Sequence, residues 1–243
     1  MYDFSSIPEL TIHAGRPDSI TMDKVTVIKS YGIDRISINP QTMKQKTLDL
    51  IGRRHTVEQV KEAFAMARDA GFGNINMDLI AGLPEETVKD MEETLRQIAL
   101  LGPDSMTVHS LAIKRAAYMN KNREAFKVTP QEVVNRMISA SFESALSMGM
   151  EPYYLYRQKN IAGNLENVGY ARKGCEGLYN ILIMEEKQTI VAAGAGGATK
   201  IVIPGENRIE RIENVKNVKD YIERIDEMIG RKQRFDIHGR KND

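Results

Sequence analysis

A chain of 243 residues is long enough for one large domain or for one domain with an appendage. Its 42% apolar and 28% charged content is ordinary for a globular protein, and a net charge of +1 offers no general attraction to nucleic acid or to a membrane surface. No apolar run approaches the roughly 20 residues of a membrane span, the N-terminus shows no signal-peptide core, and one cysteine, Cys175, excludes an internal disulfide or a metal or iron–sulfur site built from several cysteines of this chain. A reducing, cytoplasmic setting is the expectation.

In chain order, ELTIHAG (9–15) reads as a strand and SITMDKVTVIKSYG (19–32) as a helix closing on Gly32. RISINPQ (35–41) is the next strand. TVEQVKEAFAMARDAG (56–71) places Val57, Val60, Phe64 and Ala67 at helical spacing, between Thr56 as N-cap and Gly71 as C-cap. NINMDLIAGLPEET (74–87) is a strand ending sharply at Gly82-Leu83-Pro84, followed by a helix over 86–102 and a strand over 105–113. Alternation of this kind predicts right-handed βαβ units and a parallel sheet covered on both faces. The alternating part holds too few strands for a closed eight-stranded barrel.

Beyond Ile113 the pattern changes. Residues 114–128 are basic and irregular, and 129–149 reads as a helix with Thr129 as cap and Pro130 in its first turn. YYLYRQKN (153–160), LYNILIME (178–185), QTIVAAGAGG (188–197) and TKIVI (199–203) read as short strands around glycine-rich turns. Residues 210–230 read as one amphipathic helix with Val215, Val218, Ile222, Ile225 and Ile229 as its stripe. The expected division is 1–115 and 116–243.

Ligands of parallel α/β folds bind at the C-terminal ends of the strands. There the sequence places His13, Gln41, Asp78 and Ala112, with Arg53 and Arg54 in the short link after Gln41. A carboxylate accepts from ribose hydroxyls or an amino group, a glutamine both donates and accepts, and an arginine grips a carboxylate. A small alanine lets a flat ring approach the backbone. The set suits a zwitterionic amino acid joined to a nucleoside. Taken singly, Asp78 equally serves as a turn cap and Gln41 as a partner for backbone groups.

RISINPQ, LIGRRHT, NINMDLIAGLPEET and SMTVHSLAI, in this order and spacing, resemble successive signatures of the oxygen-independent coproporphyrinogen III oxidase family of radical S-adenosylmethionine (SAM) enzymes. AGRPDSIT and YYLYRQKNIAGNLENVGYA resemble its HemZ-type coproporphyrinogen dehydrogenases, and the similarity runs from about residue 9 to 229. The resemblance implies an α/β fold: a partial (β/α)6 TIM-type barrel, with strands three to six present, and a small α+β C-terminal domain. It implies that Gln41, Arg53, Asp78 and Ala112 contact SAM, and that the glycine-rich AAGAGGATK (192–200) lies near the site, where a tight strand turn is the equal alternative.

The implied activity is conversion of coproporphyrinogen III to protoporphyrinogen IX in heme biosynthesis. A cluster delivers one electron to SAM, the resulting radical abstracts hydrogen from a propionate side chain, and loss of carbon dioxide and an electron leaves a vinyl group. The implied cofactors are SAM and a [4Fe-4S] cluster, and the implied partners are a tetrapyrrole substrate and an electron donor. Arg157, Arg172 and Lys173 are candidates for facing that polyanionic substrate, with solvated surface cations as the alternative. No catalytic residue is assigned.

The chain departs from the family pattern in two places. His13 stands where the family has a glutamate, which exchanges a fixed anionic acceptor for an imidazole able to accept one bond. The family's Cys-x-x-x-Cys-x-x-Cys loop is absent, so no metal ligand is assigned and the chain is expected to be inactive alone. The alternative is a SAM- or porphyrin-binding protein without a cluster. A related heme chaperone carries a His-Asn-x-x-Tyr-Trp run; the comparable GNLENVGYARKG (163–174) has neither His nor Trp, which argues against a heme carrier. An aldolase-type barrel would need a Schiff-base lysine at a strand end, and none of the four strands carries one.

Overall fold

The computed structural model describes residues 6–111, 129–156, 167–203, 205–206 and 208–233. It divides into two compact units, Met1–Gly177 and Leu178–Asp243.

The first unit carries β1 (Thr11–Gly15), α1 (Met22–Ser30), β2 (Arg35–Gln41), α2 (Gln45–Leu50), α3 (Val57–Asp69) and β3 (Asn74–Ala81). These are followed by α4 (Val88–Leu101), β4 (Ser105–Ser110), α5 (Gln131–Ser147), β5 (Glu151–Tyr156) and β6 (Asn167–Ala171). One sheet runs β1-β2-β3-β4-β6-β5. Its first four strands are parallel, as the alternating pattern predicts. β6 then pairs antiparallel with β4, and β5 antiparallel with β6. The sheet therefore continues through the 115/116 division expected from sequence.

Local signals account for the helices. Thr56 caps α3 in a capping box with Gln59, and Val60, Ala63, Phe64 and Ala67 are its buried stripe. Thr87 and Asp90 make the same device at the start of α4, which buries Met91, Thr94, Leu95 and Ile98 and ends on left-handed Gly102. Thr129 behaves differently from its expected role as a cap. Its hydroxyl donates to the Gly82 and Leu83 carbonyls, at 3.1 and 3.2 Å, and holds the turn after β3, while Pro130 occupies the N-cap position of α5.

The strands alternate in a way the apolar-run reading does not anticipate. Ile36, Ile38, Ile75, Met77, Leu79, Met106 and Val108 form the buried core with the helices. The opposite face carries Arg35, Ser37, Asn76, Ser105 and Thr107, all buried and all polar. β5 and β6 extend that face. Tyr154 lies against Gly169, where a Cβ would stand 2.0 Å from the tyrosine ring, so only glycine fits.

In the second unit the elements are α6 (Leu178–Glu185), β7 (Ala198–Val202), β8 (Ile209–Glu213), α7 (Val218–Glu223) and α8 (Ile225–Lys232). Two expectations are corrected here. LYNILIME is helix, not strand; a short continuous apolar run has no period to separate the two. The single helix over 210–230 is instead a strand and two short helices. Residues 209–213 pair with β7, and the Asn217 side chain accepts from the Lys219 and Asp220 amides to cap a new start. Of the expected stripe, Val218, Ile222, Ile225 and Ile229 are exposed, and Met228 is the buried residue of α8. The glycine-rich segment is a tight turn into β7: Gly194 N donates to the Tyr221 hydroxyl and Gly196 N to the Val215 carbonyl.

Candidate functional site

The C-terminal end of β2 is the most constrained point of the sheet. Gln41 has φ +69°, a left-handed conformation that a non-glycine residue adopts at a cost, and it is 6% exposed. The β2–β3 register slips between Ile38 and Gln41, which turns the strand end out of the regular ladder. Among the described residues the Gln41 amide donates one long bond of 3.5 Å, to the Asn39 carbonyl.

Arg53 follows α2, its backbone N–H closing on the Leu48 carbonyl at 2.9 Å. Its side chain is partly buried; burial, then the charge of Arg16, hold the guanidinium below the usual arginine range, with Asp18 opposing. Arg16 and Asp18 pair at the end of β1, and that hydrogen bond holds Asp18 below the usual carboxylate range. His55, 1% exposed, ties the Arg53 segment to β2: its Nε2 lies 3.3 Å from the Pro40 carbonyl, which can only accept, so Nε2 carries the proton. Burial pushes the His55 imidazole toward its neutral form, the Pro40 bond opposes this, and the Arg53 charge reinforces it. The arginine segment is thus anchored one residue from Gln41.

Asp78 belongs to a ladder of side chains across the polar face. Asn76 Nδ2 donates to Ser37 Oγ at 3.0 Å and to Asp78 Oδ1 at 2.6 Å. Ser37 donates to Asn39 Oδ1 at 2.9 Å, and Thr107 to Asn76 Oδ1 at 3.3 Å. The second Asp78 oxygen lies 3.9 Å from His109 Nε2. Burial, then Tyr153, push the Tyr154 hydroxyl well above the usual tyrosine range, and its bond with Thr107 opposes them. His13 pairs with Ser37 and so shares this face, on the exposed side. Below the ladder Arg35 is 4% exposed, and among the described residues its Nε and Nη2 have no hydrogen-bond partner.

The structure thus brings Gln41, Arg53 and Asp78 toward one end of the parallel strands, with His13 on the same face. Ala112 and Arg157 lie outside the described residues. Arg172 and Lys173 are set apart. They follow β6, which runs antiparallel, so they stand at the opposite end of the sheet. Arg172 is engaged there with the Met148 carbonyl at 3.2 Å and with Asp104. Sequence reasoning missed Ser37, Asn76 and Thr107. The alternation R-I-S-I-N and N-I-N-M-D was the signal for the first two. Tyr154 had none, since only the placement of β5 brings it in.

Comparison with known proteins bears on this geometry. The Radical SAM superfamily pattern matches residues 8–98. The chain is 47% identical over 233 residues to the oxygen-independent coproporphyrinogen-III oxidase-like protein HemZ of Bacillus subtilis, covering 96% of this chain and 46% of that protein. Residues 8–98 thus form a radical SAM domain. A heme chaperone HemW of the same organism is 28% identical over 196 residues, covering 79% of this chain and 48% of that one. The chain spans about half the length of these curated relatives. The solved coproporphyrinogen III oxidase HemN of Escherichia coli superposes with a TM-score of 0.69 at 19% identity, covering 90% of this chain and 49% of that one, which establishes the radical SAM fold with its partial barrel.

The donor set can be tested against the two cofactors this superfamily implies. For SAM it fits: a buried amide, a half-buried guanidinium on an anchored segment, and a carboxylate suit an amino acid joined to a nucleoside. For an iron–sulfur cluster it does not fit. Cys175 is the chain's one cysteine, and burial pushes its thiol up, away from the thiolate that binds iron. It stands at the opposite end of the strands, its carbonyl accepting from Asn74 at the start of β3. Among the described residues no three His, Cys, Asp or Glu side chains group to hold a metal.

Proposed function

We propose that this chain is the SAM-binding portion of an oxygen-independent coproporphyrinogen III oxidase-type enzyme, acting in the cytoplasm on a tetrapyrrole carrying propionate side chains. The observation that carries this reading is the gathering of Gln41, Arg53 and Asp78 at one end of the parallel strands. SAM, when bound and reduced, supplies the hydrogen-abstracting chemistry of such enzymes.

The chain's own residues bind and orient. Arg53 takes the carboxylate of the amino-acid moiety, Asp78 accepts from a ribose hydroxyl or the amino group, and Gln41 donates and accepts. His13 offers one acceptor where the family pattern has an anion. The ladder from Ser37 through Asn76 to Thr107 fixes the Asp78 rotamer, so that little order is lost when ligand arrives. Cluster ligands and the electron donor come from outside these residues, and no step through a cluster is derived for them.

A second reading, a SAM- or porphyrin-binding protein without catalysis, is favoured by the single cysteine. The likeness to HemW keeps a heme-handling relative in view.

Calorimetric titration of the chain with SAM tests the first reading. Saturable binding is expected, weakened at least about tenfold in Asp78→Ala, which is about 1.4 kcal/mol. Heat without saturation, or equal affinity in Asp78→Ala, would overturn it. A longer form bearing the cysteine loop, reconstituted with iron under anaerobic conditions, separates the two readings by whether it releases 5′-deoxyadenosine.

A further inference from the structure

Gln41 sits in a conformation that only its surroundings can maintain. The three residues that follow it are pinned from α4 and from the link before α4. Thr42 Oγ1 donates to Glu86 Oε1 at 2.6 Å. Its single proton being spent there, Thr42 Oγ1 accepts from the Lys44 amide at 3.2 Å and from the Thr94 hydroxyl at 3.3 Å. Thr94 Oγ1 in turn accepts from the Met43 amide at 3.1 Å. Thr42 and Thr94 are each 1% exposed and Glu86 5%, so water does not compete for these bonds. Lys44 closes the outside of the turn by pairing with Asp90 at 2.8 Å.

We propose that Glu86 and Thr94 are positioning residues, holding the turn after β2 in the one conformation that presents the Gln41 amide to the cofactor. This rests on the SAM reading above. Neither residue touches the cofactor; they act through Thr42 and Met43. The arrangement has a direction: proton donors run from Lys44 N–H and Thr94 O–H through Thr42 to the Glu86 carboxyl. A side chain at position 86 therefore needs an acceptor oxygen but no charge, so glutamine serves and alanine does not. At position 94 it needs a hydroxyl, so serine serves and valine does not.

Two measurements on Glu86→Gln, Glu86→Ala, Thr94→Ser and Thr94→Val decide the matter. By hydrogen exchange, the Met43 and Lys44 amides are expected to exchange at least about tenfold faster in Glu86→Ala and Thr94→Val, with α3 amides unchanged. By calorimetry, those two variants are expected to bind SAM at least about tenfold more weakly, and Glu86→Gln and Thr94→Ser to regain most of both properties. Faster exchange with unchanged SAM affinity would overturn the positioning role, as would unchanged exchange. Where Glu86→Ala fails to fold, the Thr94→Val and Thr94→Ser pair gives the answer. If the unsubstituted chain binds no SAM, the cofactor reading falls, and the clamp then stands or falls on the exchange rates alone.

Discussion

Glu86 is an acid enclosed by threonines, and its environment makes stability depend on pH. Burial raises the pKa of its carboxyl above the ordinary glutamate value of 4.5; the hydrogen bonds from Thr42 and Thr47 and the charge of Lys44 oppose the rise, and Asp90 adds to it. With the folded pKa above the unfolded one, the folded state binds more protons between the two values. The contribution to stability is fully present below about 4.5 and is lost as pH rises through the folded pKa. Glu86→Gln removes this titration and keeps the acceptor for Thr42. Urea denaturation at pH 5 and pH 8 is expected to show Glu86→Gln gaining on the unsubstituted chain as pH rises. A difference that is flat with pH would show that Glu86 does not titrate abnormally.

At the scale of elements, the turn between β3 and α4 depends on one residue. Gly82 has φ +88°, and a Cβ there would stand 3.1 Å from Val134 Cγ2 of α5. Both the backbone region and the close helix exclude other side chains. The same turn receives the Thr129 hydroxyl on its carbonyls and sends the Gly82 amide to Met137 Sδ at 3.3 Å, so strand, turn and helix are locked together. Gly82→Ala is expected to lower stability by about 1–3 kcal/mol. Gly73→Ala, where nothing stands within 4 Å of the added carbon, is the control and should leave the melting temperature nearly unchanged. Equal melting temperatures for the two would remove the special role of the turn.

At the scale of the molecule, the six-stranded sheet has two edges, β1 and β5. Among the described residues β1 pairs only with β2, leaving its other side with backbone groups open to a further strand. No helix of the described residues is long and apolar enough to cross a membrane. Sedimentation velocity is expected to show concentration-dependent association through this edge, and a monomer at every concentration would count against it.

The parallel order of β1 to β4, the cap at Thr56, the turn at Gly82 and the position of Gln41 at the end of β2 were legible in the amino-acid sequence. Each depends on neighbours within a few residues: a period, a cap, or a glycine where φ is positive. The second unit was less legible because its short apolar runs carry no period. What only tertiary structure decided are contacts between distant residues. Thr42 meets Glu86 across 44 positions, and Thr107 meets Asn76 across 31. Tyr154 reaches the polar face because β5 and β6 close antiparallel on β4. Such contacts follow from which strands lie side by side, and no local stretch of sequence encodes that choice.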